Sequence, residues 1–361
     1  MTQTKQVCGL ICEYNPFHYG HAYQLKLLKE RFSAVVCILG ANISQRGEAA
    51  IADRYVRAKA ALKSGADLVV ELPAPWCCAS AREFARGGVF LAKEMGVDCL
   101  AFSAESDPDL LRAAGEKRRK SEEIIREMMK MEKTLSYPAA AEKVLGKTLA
   151  GKPNDILGIE YIAAAEGFPV YILQREPSFL SSTLIRESKA PLAHLPAASA
   201  TVFSDDRSFP RITDEVGKYL LSVLRNDPPK AAYGVTEELF ARMTEKAARY
   251  TEFSKFTEAC TNKMYTAARV RRAAWALAFG FPEDLADRTP PYTLLLGAND
   301  VGREFLRATA KTRTLPLLTR PGETLDYEEG RLNARINSVL QVFYGGKADV
   351  KNTPCLLGGT L

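Results

Sequence analysis

Two of the three histidines in this chain stand three residues apart, in the segment Glu13-Tyr14-Asn15-Pro16-Phe17-His18-Tyr19-Gly20-His21. The apolar run Val7-Cys8-Gly9-Leu10-Ile11-Cys12 leads into that segment, and a helical pattern from His21 to Arg31 leads out of it. A strand, a tight Asn15-Pro16 turn and a helix opening near Gly20 aim backbone N–H groups and the positive helix end at one point above a sheet. That point favours phosphate. Gly20 lets a bulky anion approach the backbone, and His18 and His21 can donate hydrogen bonds to the charge that builds on an α-phosphate under attack. The chemistry implied is in-line displacement at the α-phosphate with release of pyrophosphate. Zinc is the rival use of a His-x-x-His pair, but His194 is the one histidine left, no glutamate follows His18, and the eight cysteines contain no Cys-x-x-Cys. Plain capping or packing of the two rings is the simpler alternative. The chain has no Gly-x-x-x-x-Gly-Lys-Ser/Thr loop and no Gly-x-Gly-x-x-Gly, so P-loop and dinucleotide-dehydrogenase readings lack their phosphate cradle.

The elements that must position these residues follow from periodicity. Strands are predicted at Val7 to Cys12, Ala34 to Leu39, Asp67 to Leu72, Asp98 to Phe102 and Val170 to Leu173. Helices lie between them near His21 to Arg31, Ile51 to Ser64, Ser80 to Met95 and Asn154 to Glu166. Alternating β and α units imply an α/β, doubly wound parallel sheet with helices on both faces. Asp109 to Lys133 reads as a long charged helix leaving that core. After about Pro210 the texture becomes helical, at Asp214 to Arg225, Glu237 to Tyr250 and Lys263 to Phe279, with Asn226-Asp227-Pro228-Pro229 and Thr289-Pro290-Pro291 as breaks. A smaller α/β piece follows, with strands at Thr293 to Leu296 and Thr314 to Leu318.

Composition sets the outer limits. The 361 residues, 47% of them apolar, are enough for two cores, and no apolar stretch approaches the ~20 residues that cross a bilayer. A cytoplasmic protein with no membrane attachment is expected. Cysteines inside apolar runs read as buried reduced thiols, and a net charge of +6 permits an anionic partner without requiring one. Oligomeric state leaves no trace.

The segment Phe17-His18-Tyr19-Gly20-His21 resembles the His-x-Gly-His signature of the HIGH-type nucleotidyltransferase superfamily. The longer string Glu13-Tyr14-Asn15-Pro16-Phe17-His18-x-Gly20-His21 is similar to that of the bacterial tRNA(Met) cytidine acetate ligase family. Four further stretches resemble the same family: Gln45-Arg46-Gly47-Glu48, Gly65 to Pro73, Lys152-Pro153-Asn154-Asp155-Ile156-Leu157-Gly158, and Cys260-Thr261-Asn262-Lys263-Met264-Tyr265-Thr266. The likeness extends through Leu294 to Asn299 and Gly302-Arg303-Glu304 and so covers most of the chain.

This resemblance implies a HUP-like nucleotidyltransferase domain at 1–210 and a mainly helical domain at 211–361 that can bind tRNA. It implies ATP and Mg2+ as cofactors, acetate as co-substrate and elongator methionine tRNA as acceptor. The ATP site it implies comprises the 11–24 segment, with Ile11, Glu13, Tyr14, Asn15, Phe17, Gly20 and Gln24 around the catalytic His18 and His21, then Ser103, Asn154 and Arg175. Ser182, Thr183 and Arg186 belong to a second motif, Ser-Ser/Thr-x-x-Ile-Arg, suited to β- and γ-phosphates. From the residues alone, Asn154 is equally an N-cap, Arg175 a surface charge, and Ser181 to Arg186 an ordinary helix opening. Gln45, Arg46 and Glu48 form a candidate lid or substrate contact, while Asp53, Arg57 and Lys59 read equally as solvated charges.

Lys263, Arg269, Arg271 and Arg272, with Tyr265 and Trp275, form a basic, aromatic helical face that could meet RNA phosphates and bases; the alternative is a solvated face with Trp275 in the core. Three departures from the family pattern stand out: Ser103 where Phe-Gly-Ser-Glu would place glycine, a short stretch between Arg175 and Ser181 without the tyrosine-histidine pair expected there, and a carboxyl-terminal end that reads as trimmed. The alternative readings are a small-molecule adenylyltransferase of the same fold and a catalytically silent nucleotide- or RNA-binding relative. An aminoacyl-tRNA synthetase would need a Lys-Met-Ser-Lys-Ser-like loop, which the chain lacks.

Overall fold

Strand β2 (Ala34–Gly40) is buried along its whole length, and its side chains alternate between two layers. Val35, Cys37 and Leu39 enter one core, Val36 and Ile38 the other. Only a strand covered on both faces reads as such an unbroken apolar run. The computed structural model, which describes residues 6–132, 137–146, 152–205, 212–226, 228–344 and 353–358, supplies those covers. Strands β1 (Val7–Cys12), β2, β3 (Leu68–Leu72), β4 (Cys99–Ala104) and β5 (Val170–Gln174) run parallel in the order 3-2-1-4-5. Helices α1 (Tyr19–Arg31) and α2 (Arg54–Lys63) cover one face, and α3 (Ala81–Glu94) covers the other. The order reverses between β1 and β4, the point at which such sheets open a crevice at their carboxyl edge.

The charged segment after β4 is two helices, α4 (Pro108–Lys120) and α5 (Glu122–Met131), rather than one. Ser121 separates them and donates its hydroxyl to the Lys117 carbonyl at 2.7 Å; Lys133, the expected end, lies outside the described residues. A short α6 (Tyr137–Leu145) precedes α7 (Pro153–Ala165), which joins α3 over the sheet. After β5 come α8 (Ser182–Glu187) and α9 (Ala197–Asp205).

The helical run consists of α10 (Ile212–Arg225), α11 (Glu237–Arg249), α12 (Phe253–Cys260) and α13 (Ala267–Phe279). Leu220, Met243, Phe256 and Trp275 meet in its core, which is continuous with the α3 and α7 layer. Gly217 is required there, because a Cβ on it would lie 2.2 Å from the Phe253 Cβ. The chain then returns to the sheet. Strand β6 (Thr293–Ala298) adds antiparallel to β3, and β7 (Leu317–Leu318) and β8 (Cys355–Leu356) pair with β6. Thr293 donates its hydroxyl to the Glu71 carbonyl at 2.8 Å, so β3 is not left as an open edge. The expected boundary at 210 falls outside the described residues, and β6, from the segment after it, completes the sheet of the segment before it.

Two further helices, α14 (Asp300–Thr309) and α15 (Glu328–Tyr344), follow β6. Helix α15 carries Asn333, Asn337 and Gln341 at four-residue spacing, all buried. Asn333 donates to Glu71 (3.0 Å), Asn337 accepts from Asn42 (3.0 Å), and Gln341 donates to Asp53 (2.7 Å). This polar stripe faces the sheet's carboxyl edge, where Glu71 also pairs with buried Arg54. Asp53 and Arg57 are not solvated charges. Asp53 caps α2 by accepting the Tyr55 N–H, and Arg57 donates to the carbonyls of Glu13, Gly40, Ala41 and Ala52. One buried guanidinium therefore ties down the ends of β1 and β2, from which both loops of the site depart.

Candidate active site

The histidine turn is a capping box made of imidazoles. His18 is the N-cap of α1, and its Nδ1 accepts the Gly20 N–H at 3.0 Å; the Nδ1 of His21 accepts the His18 N–H at 3.3 Å. Capping and chemistry therefore do not compete here. With each Nδ1 occupied as an acceptor, a neutral ring must carry its proton on Nε2, the opposite nitrogen. The rings stack at 3.8 Å between centroids, and Tyr14 lies edge-on to His21 at 4.9 Å. Burial, reinforced by the Arg175 charge, lowers the pKa of His18 to about 4. His21 is pushed well below its ordinary value by burial, by His18 and by Arg175. Both rings are neutral Nε2–H donors at pH 7.

Gly20 has a more local reason than the one expected. A Cβ there would sit 2.9 Å from the His18 Cε1 and 3.3 Å from the Phe179 Cβ, so the glycine makes room for the ring that caps its own turn. Tyr14 takes a left-handed backbone (φ +48°), which turns its ring inward and sets its hydroxyl 3.4 Å from the Cys37 sulfur. Such a conformation is costly for an aromatic residue and persists where surrounding structure imposes it.

A cleft of about 460 Å3 opens above this turn. Ile11, Glu13, Tyr14, Asn15, His18, Gly20, His21 and Gln24 line it from the first turn, and Ser103, Asn154 and Arg175 from the β4, α7 and β5 side. Ser182, Thr183 and Arg186 close the α8 side, and Gln45, Arg46 and Glu48 the loop after β2. Phe17 is the exception among the expected nucleotide contacts. It is fully buried beneath the histidines, and its carbonyl accepts the Ser199 hydroxyl at 2.9 Å, so it supports the turn from below. Asn15 borders the cleft, but its side-chain oxygen is taken by the Ile51 N–H at 2.8 Å.

On the β4 side, Asn154 is not the N-cap of α7. That position belongs to Lys152, and the Asn154 amide instead donates to Glu105 Oε1 at 2.6 Å. Arg175 donates to the same oxygen at 2.8 Å. The sequence reading missed Glu105, although an acidic residue just past a strand's carboxyl end is a usable signal. It also missed Tyr23 and Phe179, whose rings meet at 5.6 Å on the cleft wall.

On the α8 side, Ser181 caps the helix by accepting the Leu184 N–H. Arg186 reaches back to the Asn15 carbonyl at 2.6 Å and to Glu48 at 3.2 Å. Glu48 also pairs with Arg271 at 3.3 Å. Glu13 accepts the Gln45 N–H at 2.6 Å, and burial raises its pKa against the opposing pull of that N–H and of Arg57, Arg186 and Arg46.

The expectation for α13 needs correction. Arg271 donates to the Arg46 carbonyl (3.0 Å), Arg272 to the Gln45 carbonyl (3.2 Å) and Trp275 to the Gly47 carbonyl (3.1 Å). These residues grip the Gln45–Glu48 loop instead of forming a free basic face. Tyr265 is buried and so offers no stacking platform, while Arg269 lies over its ring at 5.1 Å. Lys263 remains exposed.

The geometry has counterparts among known proteins. The family model for HIGH Nucleotidyl Transferase matches residues 5–352. The chain is 31% identical over 353 residues to the tRNA(Met) cytidine acetate ligase of Syntrophotalea carbinolica, covering 86% of this chain and 84% of that one. To the enzyme of the same description from Latilactobacillus sakei subsp. sakei it is 30% identical, with 92% of each covered. The crystal structure of Thermotoga maritima TmcAL bound with alpha-thio ATP matches with a TM-score of 0.89 at 26% identity, over 98% of this chain and 99% of that one. A paired-histidine turn at the switch point of a 3-2-1-4-5 sheet, and relatives aligned over most of their length, place this chain in the HIGH nucleotidyltransferase family, among the tRNA(Met) cytidine acetate ligases.

Proposed function

We propose that the protein is an ATP-dependent ligase that activates acetate as acetyl-adenylate and then acetylates the wobble cytidine of elongator methionine tRNA. The observation that carries this reading is the histidine pair, with both Nδ1 atoms held by backbone N–H groups and both rings neutral. In the first step an acetate oxygen attacks the α-phosphorus; the new P–O bond forms as the bond to the bridging oxygen breaks, and pyrophosphate leaves with that electron pair. Two preorganised Nε2–H donors suit the charge gathering on the α-phosphate oxygens, and they add no positive charge that would hold the ground state equally well. Arg175 and Arg186 flank them, suited to the remaining phosphate charge. In the second step the exocyclic amine of cytidine attacks the acetyl carbonyl carbon, the C–O bond to AMP breaks, and the amine loses a proton. No residue becomes covalently modified.

A magnesium ion would find few free donors on the protein side of the cleft. Of the three carboxylates lining the cleft, Glu13 accepts the Gln45 N–H, Glu48 pairs with two guanidinium groups and Glu176 accepts the Ser178 N–H, and among the described residues no three potential ligands cluster. The described residues therefore form no cage of their own, and magnesium would accompany the nucleotide as its counter-ion, held by phosphate oxygens.

For the tRNA, exposed Arg46 at the cleft rim and Lys263 and Arg269 around the start of α13 are the cations we assign to phosphate contact. No helix among the described residues is long and apolar enough to cross a membrane, and a tRNA acceptor puts the reaction in the cytoplasm. Pyrophosphate exchange into ATP tests the activation step. Exchange dependent on acetate is expected, exchange with nicotinamide mononucleotide would favour a small-molecule adenylyltransferase, and no exchange with any acid would leave a silent relative.

A further inference from the structure

We infer that Glu105 is a positioning residue that sets which end of the Asn154 amide the nucleotide meets, and that this selects for a hydrogen-bond donor on the nucleoside. The inference rests on the proposed ATP site and goes beyond it. A carboxylate has only acceptors, so it can meet an asparagine amide only through the NH2 end. Glu105 Oε1 takes that end at 2.6 Å and also takes Arg175 at 2.8 Å. The planar amide then turns its carbonyl oxygen the other way, and Asn154 is a wall of the cleft.

Glu105 is itself held on both sides. Its N–H donates to Asp155 Oδ1 at 2.7 Å, and its carbonyl accepts from the Gln174 side chain at 3.0 Å. Three segments far apart in sequence, the ends of β4 and β5 and the start of α7, are thus fixed around one carboxylate. Its second oxygen is buried and has no hydrogen-bond partner among the described residues. Burying that oxygen is unfavourable, and a role for the carboxylate beyond packing accounts for its presence.

The acceptor presented by Asn154 narrows the ligand chemistry. Ionised phosphates carry no donor, so the partner is on the nucleoside, either the 6-amino group of adenine or a ribose hydroxyl. Glutamine in place of Glu105 has both a donor and an acceptor end, which frees the Asn154 amide to flip. The preference for a ligand donor should then fade.

The test is calorimetric binding, without acetate, of ATP, inosine triphosphate, 2′-deoxy-ATP and 3′-deoxy-ATP to the full chain. At least one analogue should bind the parent about 10-fold more weakly than ATP, the scale of one lost hydrogen bond. Inosine triphosphate failing assigns the amine; a deoxy analogue failing assigns the hydroxyl. In Glu105→Gln the same ratio should shrink to within about 3-fold. Asn154→Ala should do likewise, and the double variant should lose nothing more, because both changes remove one interaction. A parent-like ratio in a folded Glu105→Gln, additive losses in the double variant, or a parent indifferent to all three analogues would overturn the inference. Should Glu105→Gln not fold, an unchanged ratio in Asn154→Ala does the same. A parent that binds no ATP at all fails the proposed function, and this inference with it.

Discussion

The two rims of the cleft are built in opposite ways. On one side, Glu105, Asn154 and Arg175 come from the ends of β4 and β5 and the start of α7, neighbouring parts of one α/β layer, and they meet without help from the helical half. On the other, the Gln45–Glu48 loop is held by Arg271, Arg272 and Trp275, more than two hundred residues later in the chain. Gly47 marks how close that grip is, since a Cβ on it would lie 2.7 Å from the Arg272 backbone nitrogen. The first rim is a property of the sheet. The second depends on the sheet and the helices α10 to α13 folding against one another, so damage to those helices should be felt in the chemistry at the phosphate end.

The histidine pair belongs to neither rim, and its loss should have the largest effect. His18→Ala or His21→Ala should leave a folded protein whose pyrophosphate exchange is ~100-fold slower, the scale of one lost preorganised donor. A loss of only a few-fold in both would remove the catalytic assignment. Next comes the gripped rim. Gly47→Ala, at φ +73° and against the α13 backbone, should slow exchange on the order of 10-fold by displacing the loop. Gly234→Ala, at a similar φ but with open space around it, is the control for backbone strain alone and should leave exchange near the parent rate. Arg272→Ala should cost roughly 5-fold in exchange, because one tether of the same loop is lost. An unchanged rate there would mean that the sheet alone positions both rims.

Much of this was open to a sequence reading, for definite reasons. The strand-turn-helix around His18 and His21 is local, so residue order places its parts together, and the apolar runs of β1 and β2 announce strands buried on both faces. The Ser181 cap and Arg186 lie within one short segment and were legible in the same way. Other features depend on pairings that residue order does not give. Glu105 meets Arg175 because β4 lies beside β5, and Arg57 reaches four carbonyls because the ends of β1 and β2 converge on it. The basic run on α13 misled for a physical reason: a guanidinium can be satisfied by backbone carbonyls as well as by solvent or phosphate, and its charge does not say which. In α15 the polar spacing Asn333, Asn337, Gln341 resembles an exposed face, yet buried Glu71, Asn42 and Asp53 are its partners.

Two smaller effects refine the comparison. The histidines titrate near 6.5 in the unfolded chain, whereas in the fold His18 does so at about 4 and His21 well below its ordinary value. The unfolded state therefore binds more protons as pH falls from 6.5 towards 4, and the fold loses stability through that window. A His18→Gln, His21→Gln variant should show a shallower decline of melting temperature between pH 7 and pH 5, by on the order of 2 °C. An identical slope would mean that the rings are not held neutral. Ser103→Gly, on the sheet-built rim, should change ATP affinity by less than about 2-fold, because it removes one hydroxymethyl from the cleft wall. Markedly weaker binding by calorimetry would show that Ser103 itself contacts the nucleotide.

The most direct test of the whole account is a single incubation of the protein with carbon-labelled acetate, ATP and elongator methionine tRNA, followed by nucleoside and nucleotide analysis. The expected result is a labelled acetyl group on the exocyclic nitrogen of the wobble cytidine, with one AMP and one pyrophosphate per acetyl group transferred. Release of ADP and phosphate, or acetate-dependent formation of acetyl-adenylate with no label entering the tRNA, would contradict it.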